Sequence, residues 1–123
     1  MKSPASGTTV VIVEDEILIR AAAARYLREC GCTVFEAATA EECLDLLAVE
    51  RSLEIVFADI KLPGRDGLDL LQTIQTEYPK VRVVLTTGKT LEAPIPAGVT
   101  LLKKPYYLFH IERLIASLRR GRS

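Results

Sequence analysis

Residues 53–59, Leu-Glu-Ile-Val-Phe-Ala-Asp, restrict the possible folds of this chain more than any other stretch. An apolar run of strand length, rich in Val, Ile and Phe, suits a strand buried on both faces of a parallel sheet. It ends abruptly on a carboxylate. Open α/β sheets bind ligands beyond the carboxyl ends of their strands, so Asp59 stands where such a sheet would use it. Pro63, Gly64 and Gly67 then predict a tight turn before the next helix.

The rest of the chain alternates in the same way. Residues 1–7 read as a flexible leader, and Thr8 to Val13 as a first buried strand ending at Glu14-Asp15-Glu16. The helix that follows carries Ile19, Ala22, Ala23, Tyr26, Leu27 and Cys30 as one apolar stripe, and Gly31 closes it from the C′ position. Cys32 to Ala37 is a second strand. Thr39 and Glu42 have the spacing of a capping box, opening a helix with Cys43, Leu44, Leu47 and Ala48. A third helix, with Leu68, Leu71 and Ile74, stops before Pro79. Val81 to Thr86 is a fourth strand. Between Lys89 and Gly98 the pattern weakens, and Pro94 and Pro96 predict a short or irregular helix. Val99 to Leu102 is a fifth strand, and Ile111, Leu114, Ile115 and Leu118 mark the C-terminal helix. This alternation predicts a doubly wound parallel α/β sheet with right-handed crossovers.

Composition narrows the function classes. A chain of 123 residues, 49% of them apolar, is one folded domain. Sixteen Lys and Arg balance sixteen Asp and Glu, which argues against a nucleic-acid or acidic-membrane surface. The basic tail over residues 120–123, like Arg119 before it, is expected to complement the dipole of the last helix. No apolar run has bilayer length and the N-terminus lacks a signal-peptide core, so a cytoplasmic protein is expected. Cys30, Cys32 and Cys43 lack metal-binding or redox spacing and read as core thiols. His110, the sole histidine, reads as a solvated helix residue.

Four predicted strands deliver polar groups to one edge: Glu14 and Asp15, Asp59, Thr87, and Lys104. Carboxylates brought together raise one another's pKa, and a hard cation such as Mg²⁺ relieves this while favouring a phosphate beside it. Lys104 and Thr87 suit phosphoryl oxygens. The set supports a carboxylate that attacks phosphorus and carries an aspartyl phosphate. No Gly-rich phosphate loop follows the first strand, which disfavours a flavodoxin-like enzyme or cofactor binder.

Val13-Glu14-Asp15-Glu16, Asp59 with Pro63 and Gly67, Thr87-Gly88 and Lys104-Pro105 together resemble the receiver domain of two-component response regulators, over Thr8 to about Leu118. The resemblance implies a (βα)₅ flavodoxin-like fold with strand order 2-1-3-4-5, the domain spanning 8–119. It implies Asp59 as phosphoacceptor, Glu14, Asp15, Asp59 and the Lys61 backbone carbonyl as Mg²⁺ ligands, Thr87 as switch hydroxyl and Lys104 as the phosphate-pairing lysine. Thr87 is preferred over Thr86 because the family's hydroxyl residue directly precedes a small Ala or Gly. The implied role is a signalling switch rather than a metabolic enzyme. Its phosphoryl group would come from a sensor histidine kinase or histidine phosphotransfer protein, and autodephosphorylation would reset it. The implied output is a downstream partner, or a second copy in a homodimer, on the face made by the crossover helix before the fifth strand, that strand and the C-terminal helix. With no effector domain following the last helix, output by partner binding or onward transfer is expected. The same residues also fit a receiver segment of a hybrid histidine kinase or longer regulator, or a phosphorylation-independent interaction module.

Two positions depart from the family pattern. Leu101 stands where the family usually has an aromatic, so an aromatic switch would need Tyr106 or Tyr107. The interval between Thr87 and Lys104 is short, consistent with an abbreviated crossover helix.

Overall fold

The computed structural model describes residues 3–88 and 96–120, without the side chain of Arg120. Its strands β1 (Thr9–Val13), β2 (Thr33–Ala37), β3 (Ile55–Asp59), β4 (Arg82–Thr87) and β5 (Val99–Lys103) form one sheet. All neighbours are parallel, in the order β2-β1-β3-β4-β5. Four helices occur among the described residues: α1 (Ile17–Glu29), α2 (Ala40–Val49), α3 (Gly67–Glu77) and α4 (Leu108–Arg120). This is the expected flavodoxin-like order. The short helix expected between β4 and β5 falls largely on residues 89–95, which lie outside the described residues.

Every residue of β1 and β3 is buried, because both strands are central and covered on both faces. Val11, Val13, Val56 and Ala58 share one core with Cys43, Leu47, Leu70, Leu71 and Ile74 of α2 and α3. Val10, Ile12, Ile55 and Phe57 point the other way, onto Ala23, Ala24 and Leu27 of α1 and Ile111 and Ile115 of α4. The local signals act as their chemistry requires. Thr39 Oγ1 accepts from Glu42 N, and Glu42 Oε1 accepts from Ala38 N. Gly31, at φ 93°, lets Cys32 N reach back to Leu27 O at 3.0 Å. Burial pushes the Cys43 thiol up to about 12 and Cys32 to about 11, as unreactive core thiols require. His110 is half-buried, and its Nδ1 accepts from Tyr107 N at 3.0 Å, holding the first turn of α4.

Three expectations are corrected. Residues 3–7 are a packed turn rather than a flexible leader. Ala5 is fully buried, Cys32 Sγ donates to its carbonyl, Gly7 N binds Gly31 O, and Arg119 donates to Ser6 O. A single small apolar residue joins the core beside Cys32, a signal that polar neighbours conceal. In α1 the buried residues are Ala23, Ala24 and Leu27, whereas Ala22 faces outward and Ile19 is 40% exposed. The inward arc is 20-23-24-27, and its first member is Arg20, so counting only apolar residues rotates the stripe. In α3 the arc is Gly67, Leu70, Leu71 and Ile74, leaving Leu68 exposed. Gly67 takes a place on this arc where no side chain fits.

Candidate functional site

The strand order decides which side chains can meet. Asp59 closes β3, Glu14 follows β1 on one side, Thr86 and Thr87 close β4 on the other, and Lys104 follows β5. Neighbouring strands lie about 4.8 Å apart, so β5 is roughly 10 Å from β3, and only a long side chain spans β4. Lys104 does so. Its Nζ lies 2.7 Å from Asp59 Oδ2 and 3.8 Å from Glu14 Oε1. The other Asp59 oxygen accepts from Lys61 N at 3.1 Å. Glu14 Oε2 accepts from Glu16 N at 3.2 Å. Both carboxylates are buried, Asp59 at 8% exposure and Glu14 at 5%, while Asp15 and Lys61 are exposed.

Such burial has an electrostatic consequence. Desolvation pushes the Glu14 carboxyl above its ordinary range, and the adjacent Asp15 carboxyl and the Asp59 charge add to it. Burial alone would lower the Lys104 ammonium, but its bond to Asp59 and the charges of Asp59 and Glu14 outweigh that and hold it raised. Lys104 thus faces a carboxylate-rich edge. A group that brings further positive charge is favoured there.

Thr86 and Thr87 are both buried, and they do different things. Thr86 lies opposite Asp59 in the β3–β4 register, and its carbonyl accepts from Ile60 N at 2.9 Å. Thr87 carries the register one step outward, and its carbonyl accepts from Lys104 N at 2.8 Å. This ties the lysine to the end of β4. Lys104-Pro105 is cis, and the following Tyr106 sets its ring edge-on to Phe57, centroids 6.1 Å apart. Tyr106, Ile19, Glu14, Asp59 and Thr86 line a void of about 10 Å³, room for no more than one water. Leu101, at the position where an aromatic is usual in the resembling family, is half-buried on the opposite core.

All the expected residues therefore meet at one edge, with Glu14, Asp59 and Lys104 in direct contact and Asp15 and Lys61 on its rim. Arg20 joins them without a counterpart among the sequence expectations. Its guanidinium Nη1 donates to Glu14 O at 2.8 Å and its Nε lies 3.3 Å from Glu36 Oε1. The signal that could have found it is its place on the 20-23-24-27 arc.

Comparison with known proteins agrees with this geometry. Residues 10–106 match the response regulator receiver domain family. The chain is 32% identical over 106 residues to the sensor kinase CckA of Brucella abortus, covering 81% of this chain and 11% of that protein. It is 34% identical over 119 residues to the regulatory protein VanR of Enterococcus faecium, covering 90% and 50%. The crystal structure of the receiver domain from the hybrid histidine kinase CckA superposes with a TM-score of 0.75 at 32% identity, covering 89% of this chain and 96% of that one. The Francisella response regulator 1452 receiver domain, at 18% identity, shares the fold with a TM-score of 0.84, covering 95% and 100%. The chain spans half or less of the length of these curated relatives. With fold, carboxyl-edge residues and sequence in agreement, the chain belongs to the response regulator receiver domain family.

Proposed function

We propose that Asp59 is the residue of this receiver domain that accepts the phosphoryl group in two-component signalling. The observation that carries this is the Asp59–Lys104 pair. One carboxylate oxygen is engaged by an ammonium able to follow charge onto phosphorus, and the other by the Lys61 N–H. Asp59 Oδ attacks, the phosphorus–nitrogen bond of a phosphohistidine donor breaks, and the imidazole leaves with its electron pair. Lys104 then pairs with the new phosphoryl oxygens, and a Thr87 hydroxyl turned toward them supplies a further donor. Water cleaves the acyl phosphate and resets the switch.

The donor set fits Mg²⁺. Among the described residues no three carboxylate, imidazole or thiol groups already converge on a metal position. Mg²⁺ does not need such a cage, since one or two carboxylates, a carbonyl and waters suffice. Glu14, Asp15, Asp59 and the Lys61 carbonyl would hold it, and its charge would offset that of the attacking and transferring oxygens. The test is intact mass after incubation with a small-molecule phosphodonor. A gain of one phosphoryl group that needs Mg²⁺ and is removed by hydroxylamine, as an acyl phosphate is, is expected. A hydroxylamine-stable gain, or none, overturns the proposal.

A protein donor also has to dock. Of the seven large apolar side chains most exposed among the described residues, Ile17, Leu18, Ile19, Leu68, Tyr107 and Phe109 all stand at helix N-terminal ends. Those ends surround the carboxyl edge of the sheet, so the site carries an apolar rim. The partner that this rim fits is the phosphohistidine-bearing sensor kinase or phosphotransfer protein, because the rim is continuous with Asp59. Leu18, 83% exposed, makes the cleanest probe. Leu18→Glu should slow transfer from a phosphohistidine protein about tenfold or more and leave uptake from a small phosphodonor unchanged. Equal loss in both assays would point to damage at the site instead. Output is proposed to pass through β5 and α4 to a downstream partner.

A further inference from the structure

We propose that Arg20 is a positioning residue for the metal-binding turn Glu14–Glu16, acting through the Glu14 carbonyl. The inference rests on the reading of that turn as the Mg²⁺ site. The peptide around Glu14 is fixed from two sides. Its N–H binds Ala37 O of β2 at 3.0 Å, and its carbonyl accepts from Arg20 Nη1 at 2.8 Å. That carbonyl belongs to the planar peptide leading into Asp15, so holding it sets the direction in which Asp15 leaves the strand.

Little else could do this. Glu16, the N-cap of α1, makes no side-chain cap bond. The Glu16 N–H bond to Glu14 Oε2 holds the Glu14 side chain, whose Oε1 is turned toward Lys104, and leaves the Glu14 carbonyl to Arg20. Arg20 is itself braced. Its side chain is only 15% exposed, and its Nε meets Glu36 Oε1 at 3.3 Å, while Arg28 Nη1 meets Glu36 Oε2 at 3.2 Å. The planar fork of an arginine makes both bonds at once, to carbonyl and carboxylate, which a lysine ammonium cannot match. The charge of Arg20, only partly offset by a Glu36 shared with Arg28, would oppose a cation, so any support it gives the site is geometric. Arg28 gives the natural comparison, since it shares Glu36 but donates to Val34 O rather than to the turn.

The experiment is a Mg²⁺ titration of the phosphoryl-free protein, followed by the backbone amide shift of Lys61, whose N–H binds Asp59. Arg20→Gln should weaken Mg²⁺ about tenfold, at the lower end for groups that orient metal ligands from behind. Arg20→Lys should weaken it in the same direction by a smaller factor, and Arg28→Gln should stay within about twofold of wild type. Positioning and charge predict opposite signs. Were Arg20 acting only through its field, Arg20→Gln would tighten Mg²⁺ and Arg20→Lys would leave it unchanged, and either result overturns the inference. Equal weakening by Arg28→Gln overturns it as well, since that outcome reports general loosening of α1. If Arg20→Gln fails to fold, Arg20→Lys against Arg28→Gln decides the matter. A wild-type protein that does not bind Mg²⁺ overturns the site reading and this inference together, whereas wild-type binding with unaltered Arg20 variants overturns the inference alone.

Discussion

Asp59→Asn takes up no phosphoryl group under conditions that fully phosphorylate the wild type; this is the largest functional effect expected of any single substitution. An amide has no charged oxygen to attack phosphorus, and Asn keeps the shape of Asp. Its carbonyl can still accept from Lys61 N–H, the bond now made at 3.1 Å. What is lost is the 2.7 Å bond to Lys104. Set against that loss, one of two neighbouring buried carboxylates disappears, and with it part of the repulsion that raises Glu14. The two effects oppose, and since Lys104 is about a third exposed the net change in stability should stay within about 1 kcal/mol. Glu14→Gln and Asp15→Asn should behave differently, slowing uptake without moving it, because their proposed task is to hold Mg²⁺. Intact mass for the three variants, with peptide mapping of the acyl phosphate, separates these roles. A phosphoryl group still found on Asp59→Asn, mapped to Asp15 or Glu14, would reassign the acceptor.

Asp59 is legible in the amino-acid sequence because two independent patterns cross on it. A continuous apolar run implies a strand covered on both faces, and the carboxylate ending that run marks the ligand edge. Glu14 is legible for the same reason, since it follows an apolar run directly, whereas Lys104 stands one residue beyond such a run, after Lys103, and is marked by Pro105 behind it. That Lys104 reaches across β4 is a consequence of strand order, which local pattern does not contain. The residues that sequence pattern misses fail the opposite test. Arg20 is a charged residue on an inward arc, and apolar periodicity passes over it to Ile19 and Ala22. Ala5 is one small side chain among Ser, Pro and Gly, and only its tertiary place with Cys32, Val34 and Ile115 makes it core. Leu68 reads as inward because Gly67 carries no side chain to count. In each case the deciding contact is tertiary, to a carbonyl, a partner helix or a neighbouring strand, and spacing along the chain cannot register it.

Gly67 leads to the second large effect, this one on stability. Spacing predicts a turn residue there, yet Gly67 is the first residue of α3, and its importance lies in proximity. Its N–H donates to Ile60 O at 2.7 Å. A Cβ built on it would stand 2.5 Å from Asp59 O and 2.7 Å from Ile60 Cα. Both are backbone atoms at the end of the central strand, and neither can swing aside as a side-chain tip would. Ile60 N is also committed, to Thr86 O at 2.9 Å, so moving this segment strains the β3–β4 ladder. Gly67→Ala should therefore cost about 3 kcal/mol, the upper range for overpacking, and lower the melting temperature by roughly 10 °C. Alanine's better helix propensity, worth about 1 kcal/mol, offsets only part of the clash. Gly88→Ala is the control, because nothing lies within 4 Å of its Cβ position, and it should change stability by no more than about 0.5 kcal/mol. Since the displaced atoms include the carbonyl of Asp59 itself, the Gly67 variant should also phosphorylate more slowly at temperatures where it is still folded. Thermal unfolding of the two variants checks the first claim and phosphoryl uptake well below the transition checks the second. A Gly67→Ala protein that melts within about 2 °C of wild type would mean that α3 can move away from β3 at little cost, and the close approach would then not be what holds Asp59 in place.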